Sequence, residues 1–120
     1  MRIALVRLPR MLEEIAVHVL GSEPDLEIVA RIRTTLALPR KIARARPDVV
    51  LVGRNGTIAL KLLRKCPGLT VIAVAEQGRK GWLYASGREP VSLGALSPAG
   101  LVRAVRQSGP AGADGDRLDG

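Results

Sequence analysis

The uninterrupted aliphatic run Val49-Val50-Leu51-Val52 constrains this chain more than any other feature. Pro47-Asp48 precedes it and Gly53 follows, so it is bounded as a strand is and is too short for a buried helix. A strand with one wet face alternates apolar and polar residues. This one does not, so both its faces must be covered, as in the centre of a parallel sheet. Val71-Ile72-Ala73-Val74 repeats the pattern, and Arg2-Ile3-Ala4-Leu5-Val6 is a weaker version of it. Leu26 to Ile32 is β-rich and partly alternating, and Pro90 to Leu93 reads as a last, short strand.

Helical periodicity fills the intervals. Met11, Leu12, Ile15, Ala16, Val19 and Leu20 form an apolar stripe that Gly21 ends, with Glu13, Glu14, Val17 and His18 off it. A second helix is expected from Leu38 to Arg44, capped by Thr34 or Thr35, with Pro39 near its first turn. Gly53-Arg54-Asn55-Gly56 reads as a loop, with Thr57 capping a helix over 58–65 that Pro67-Gly68 stops. A short helix is expected over Lys80 to Ala85. Ser97-Pro98 opens the last one, which turns Leu101, Val102 and Val105 inward. Strands alternating with helices predict an α/β protein: a flavodoxin-like, five-stranded parallel sheet, order 2-1-3-4-5, with helices on both faces. The 120 residues suit one domain, 1–107. From Ser108 on, Gly, Pro, Ala and Asp without periodicity predict a disordered tail or linker over 108–120.

Composition narrows the chemistry. A single cysteine, Cys66, excludes an internal disulfide and a Cys-based zinc site, and a single histidine, His18, excludes a multi-His metal site. No apolar run is long enough for a membrane span, and Met1 to Arg7 does not read as a signal peptide, so a cytoplasmic setting is expected. His18 is expected to be exposed and Cys66 to be a plain reduced thiol. The net charge is +8; the segment from Ser108 contributes −2, leaving +10 on the rest. Such a surface favours anionic partners. Aromatics are few, Trp82 and Tyr84 with no Phe, so a base-stacking platform for nucleic acid is poorly supported.

The stretches SEPDLEIVARI (Ser22 to Ile32), RPDVVLVG (Arg46 to Gly53), VIAVA (Val71 to Ala75) and SPAGLVRAV (Ser97 to Val105) resemble the receiver domain of bacterial response regulators. The similarity runs from Met1 to about Gln107 and is strongest to receivers joined to helix-turn-helix output domains. The 53–71 interval and the fourth helix are shorter than in that family. The resemblance implies two acids after strand 1 and an acceptor aspartate after strand 3 holding Mg²⁺, a Thr or Ser after strand 4, and a Lys after strand 5. This chain has Arg7 and Leu8, Gly53, Ala75 and Gly94 at those positions, and Val91 in place of the switch aromatic. Mg²⁺ requires oxygen ligands, and glycine accepts no phosphoryl group. The expectation is a pseudo-receiver: no enzyme, no metal, no cofactor, acting in bacterial signalling or transcription control independently of phosphorylation.

Three kinds of binding could replace the lost chemistry. The first is a protein partner or a second copy, with Trp82, Tyr84, Arg103 and Arg106 as candidate interface residues. Trp82 and Tyr84 cannot share one face if the segment is helical, since residues two apart on a helix diverge. The second is an anion or nucleotide in the crevice between strands 1 and 3, held by Arg7, Arg54, Gly56 and Thr57 at a helix N-terminus. The third is nucleic acid on Arg40, Lys41, Arg44 and Arg46 with Lys61, Arg64 and Lys65, though no reading motif accompanies them. A receiver of a DNA-binding regulator without its output domain is a further reading.

Overall fold

A computed structural model describes residues 1–34, 36–53, 56–75 and 78–108. The elements run β1 (Arg2–Val6), α1 (Arg10–Gly21), β2 (Glu27–Ile32), α2 (Leu38–Ala45), β3 (Val49–Gly53), α3 (Gly56–Lys65), β4 (Thr70–Ala75), β5 (Lys80–Ala85), β6 (Val91–Ser92) and α4 (Pro98–Ser108). One six-stranded sheet has the order β2-β1-β3-β4-β5-β6. β2, β1, β3 and β4 are mutually parallel, whereas β5 and β6 are antiparallel to their neighbours.

The β3 run explains itself in this frame. Val49 and Leu51 turn to one face, beneath α1 and α4, in a cluster with Ile3, Leu5, Ile72, Leu20 and Val105. Val50 and Val52 turn to the other, beneath α2 and α3, with Ala4, Val6, Val71, Ile42 and Leu62. Each fully buried Val, Leu or Ile contributes about 1.5–3 kcal/mol relative to exposure. The result is a three-layer, Rossmann-like α/β arrangement.

The sheet corrects the expectation of five parallel strands. Lys80–Ala85 is not a short fourth helix but a strand, pairing antiparallel with β4 from Ala75↔Lys80 to Thr70↔Ala85. Only residues 76–79 connect β4 to β5. A parallel neighbour needs a crossover of roughly a dozen residues, so a short connection forces a hairpin. Gly81-Trp82-Leu83-Tyr84 also suits a strand, with aromatics at period two. The strand read as fifth is therefore sixth, displaced by one place.

Smaller corrections follow the same logic. In α1, Glu13, Ala16 and Leu20 are buried while Met11 and Ile15 are exposed. The helix is rotated from its apolar stripe because Arg31 and Arg33 draw Glu13 inward (3.3 and 2.7 Å). Thr34 does not cap α2; its Oγ1 accepts from Leu36 N–H (3.1 Å), and the cap position is Ala37 in a left-handed conformation. Thr35 lies outside the described residues. α3 begins at Gly56, which puts Thr57 inside its first turn. Ser97 does cap α4, its Oγ accepting from Gly100 N–H at 3.0 Å. His18 is exposed. Residues 109–120, most of the expected tail, lie outside the described residues.

The end of α4 is tied to the α1–β2 turn. The Arg106 guanidinium donates to both Asp25 carboxylate oxygens (3.1 and 2.8 Å) and to Glu23. These bonds hold the Asp25 carboxyl below its ordinary range and push Arg106 up. A carboxyl with a lowered folded-state value contributes stability above its unfolded value and loses it as pH falls through the folded one. Arg106→Gln is therefore expected to lower Tm near neutral pH, and by progressively less below about pH 4. Thermal melts of both proteins across pH 3–7 check this; a constant difference would contradict it.

Candidate functional site

Parallel strands deliver their carboxyl ends, and the loops that follow, to one edge of the sheet. Ligands in open α/β sheets sit at that edge where the strand order reverses, here between β1 and β3. A cleft of about 870 Å³ opens there. Arg7, Leu8 and Pro9 line it after β1, Arg33 after β2, Leu38 and Pro39 at the start of α2, Gly53 at the end of β3, and Thr57, Ile58, Lys61 and Leu62 on α3. The described lining carries three cations and no carboxylate.

Arg7 is held in an unusual backbone. Its φ is +52°, a left-handed conformation that costs a non-glycine residue about 1–2 kcal/mol. Its N–H donates to Ile32 O at 2.7 Å, which ties the loop to the end of β2. Gly53 lies directly beneath. A Cβ there would overlap the Arg7 carbonyl oxygen and stand 3.0 Å from the Arg7 carbonyl carbon and 3.3 Å from Leu8 Cα. Glycine is thus required for close backbone approach. The space that a side chain on residue 53 would fill is taken by the β1–α1 loop.

Arg7 and Lys61 have no ion-pair partner among the described residues. Arg33 is shared: it lines the cleft and donates to Glu13 Oε1 at 2.7 Å. Arg31 bonds the other oxygen at 3.3 Å. Glu13, 4% exposed, is the one buried charged residue among those described. Neither Arg33 nor Lys61 stood out as a ligand for this crevice in the sequence, because neither belongs to a local motif. The only available signal was that every charged residue between Ile32 and Asp48, and again between Asp48 and Glu76, is basic.

The other expected residues divide between separate places. Arg7, Leu8, Gly53 and Ala75 follow or end adjacent strands, β1, β3 and β4. Leu8, though it borders the cleft, is mostly buried in the α1/α4 core. Gly94 follows β6, which stands two places from β4, or roughly 10 Å at ordinary strand spacing. It has a φ of +66°, where a lysine would be strained. Arg54 lies outside the described residues; Gly56 and Thr57 open α3 beside the cleft.

Because β5 is a strand, Trp82 and Tyr84 do share a face, contrary to the helical expectation. Tyr84 packs on the α2/α3 core, so both turn to that side of the sheet. Arg103 and Arg106 lie on α4, across the sheet, and Arg106 is engaged by Glu23 and Asp25. The four candidate interface residues therefore form no single surface. Arg40, Lys41, Arg44, Arg46, Lys61, Arg64 and Lys65 are exposed on or beside the two packed helices α2 and α3, which carry no acidic residue.

Among the described residues no group of three or more His, Cys, Asp or Glu could hold a metal ion, and no helix is long and apolar enough to cross a membrane. The fold and site together define a small Rossmann-like α/β protein with a cationic cleft at its switch point. No family model matches the chain, and no curated protein matches it.

Proposed function

We propose that this chain is a phosphorylation-independent regulatory module, receiver-like over β1 to β4, that acts by binding an anionic ligand in its cleft rather than by phosphotransfer. The observation that carries the reading is the convergence of Arg7, Arg33 and Lys61 on an open cleft whose described lining has no carboxylate. The α3 N-terminus adds the positive end of a helix dipole. Pro39 and Ile58 supply a partly exposed apolar wall, with Leu38 and Leu62 buried behind it. That combination suits a phosphorylated small molecule with an apolar or planar body, such as a nucleotide, and the volume is within the range of small-molecule sites.

The test uses pyrophosphate and AMP as probes, followed by calorimetry and amide NMR. Saturable binding is expected, with shifts at Arg7, Gly53 and Thr57. Acetyl phosphate with Mg²⁺ is expected to leave the mass unchanged; a phosphorylated product would contradict the proposal. Arg7→Gly separates binding from folding. It relieves about 1–2 kcal/mol of left-handed strain while removing a cation, so it is expected to fold as well as the parent and to bind several times more weakly. Unchanged affinity would remove Arg7 from the site.

A second reading, docking of a protein partner or a second copy, is favoured by a different observation. Trp82 and Tyr84, both half-buried, share the α3 side of β5, and α3 exposes Leu60 on that layer. Aromatic anchors of this kind are enriched at binding hot spots. Concentration-dependent light scattering, repeated with Trp82→Ala, tests self-association through this surface.

A further inference from the structure

We infer that Arg33 is a shared switch: an anion entering the cleft takes this guanidinium from Glu13, so that occupancy of the cleft loosens the seat of α1 on β2. The inference rests on the anion-binding reading and extends it to regulation. Arg33 lines the cleft and at the same time donates to Glu13 Oε1 at 2.7 Å. Its side chain is 66% exposed, whereas that of Glu13 is 6% exposed. The arginine is thus free to swing toward a ligand, and the carboxylate is not free to follow.

Glu13 has one other described partner, the Arg31 Nε at 3.3 Å, a longer and poorer bond. Loss of Arg33 leaves a nearly buried carboxylate under-satisfied, and a buried charge without full pairing is costly. Ligand and Glu13 therefore compete for the same donor. By linkage, whatever weakens the Glu13–Arg33 bond strengthens anion binding, and anion binding weakens the Glu13–Arg33 bond by the same factor. Glu13 lies in the first turn of α1, on the helix that packs against α4, so the consequence reaches the face opposite α2 and α3.

A double-mutant cycle read by pyrophosphate titration tests the inference. Glu13→Gln is expected to tighten pyrophosphate binding about fivefold or more, the scale of ordinary coupling between sites. Removing a negative charge near the cleft could tighten binding through the field alone, so the decisive arm is Glu13→Gln made in an Arg33→Gln background. There the gain is expected to vanish, because the contested donor is absent. Glu14→Gln, an exposed neighbour, is expected to change little. A gain that persists without Arg33, or no gain in Glu13→Gln, overturns the switch while leaving the cleft reading intact. Absence of binding by parent and Glu13→Gln alike overturns both. Circular dichroism on each variant establishes that it is folded.

Discussion

Gly53→Asp, the substitution that would place a carboxylate at the end of β3, is expected to cripple the fold instead of creating a phosphoryl acceptor. The obstacle is backbone. A Cβ at this position overlaps the Arg7 carbonyl oxygen, and the loop that carries it is pinned by the Arg7 N–H to Ile32 O bond of 2.7 Å. Relief requires the β1–α1 loop to lift from β3. That breaks a hydrogen bond worth about 0.5–1.5 kcal/mol and adds overpacking of about 1–3 kcal/mol. Gly53→Ala is therefore expected to lose about 3 kcal/mol. Gly53→Asp is expected to lose more, since its carboxylate meets a carbonyl oxygen. Against a typical total of about 5–15 kcal/mol, either loss is plain in urea denaturation. A Gly53→Ala protein as stable as the parent would mean that the loop does not lie on Gly53. Any folded Gly53→Asp is expected to remain unphosphorylated, because the adjoining Arg7 and Leu8 side chains offer Mg²⁺ no oxygen ligand.

Removal of both arginines from Glu13 is the second large effect. In Arg31→Gln/Arg33→Gln the carboxylate of Glu13, whose side chain is 6% exposed, loses both cationic partners. Leaving a buried charged acceptor poorly paired is expected to cost about 2–3 kcal/mol. The reverse change is milder. Glu13→Gln leaves two half-exposed arginines that water solvates, and its amide still accepts a hydrogen bond, so a loss below about 1 kcal/mol is expected. The asymmetry is the test. Equal losses from the two proteins would mean that the trio is a surface ion pair and not a buried anchor for α1.

The antiparallel hairpin departs from the all-parallel sheet expected from the sequence. β1 to β4, with α1 to α3, keep the expected order and direction. Beyond Ala75 a strand stands in the place of the fourth helix, and β6 pairs with β5 instead of β4. A surface built from a fourth helix beside a parallel fifth strand does not exist here. Partner docking, if it uses this end of the sheet, would use the aromatic side of β5.

The two central strands and the two-sided core were legible in the sequence because burial on both faces leaves a local signature: Val49 to Val52 and Val71 to Val74 admit no polar residue, while the less buried edge strand β2 showed itself by partial alternation. The helix start at Ser97-Pro98 was legible for the same reason, a cap being a matter of adjacent residues. The state of Lys80–Ala85 was not, since six residues of mixed character fit either period until pairing with β4 decides. The rotation of α1 was hidden because arginines 18 and 20 residues away hold Glu13. The cleft was half visible. Arg7 and Gly53 could be placed from strand ends, but Arg33 and Lys61 join them only when β2 and α3 are brought together, and the need for glycine at 53 arises from a backbone carbonyl 46 positions earlier. Periodicity and capping are written in near neighbours; long-range charge pairing and close backbone approach are properties of the assembled chain.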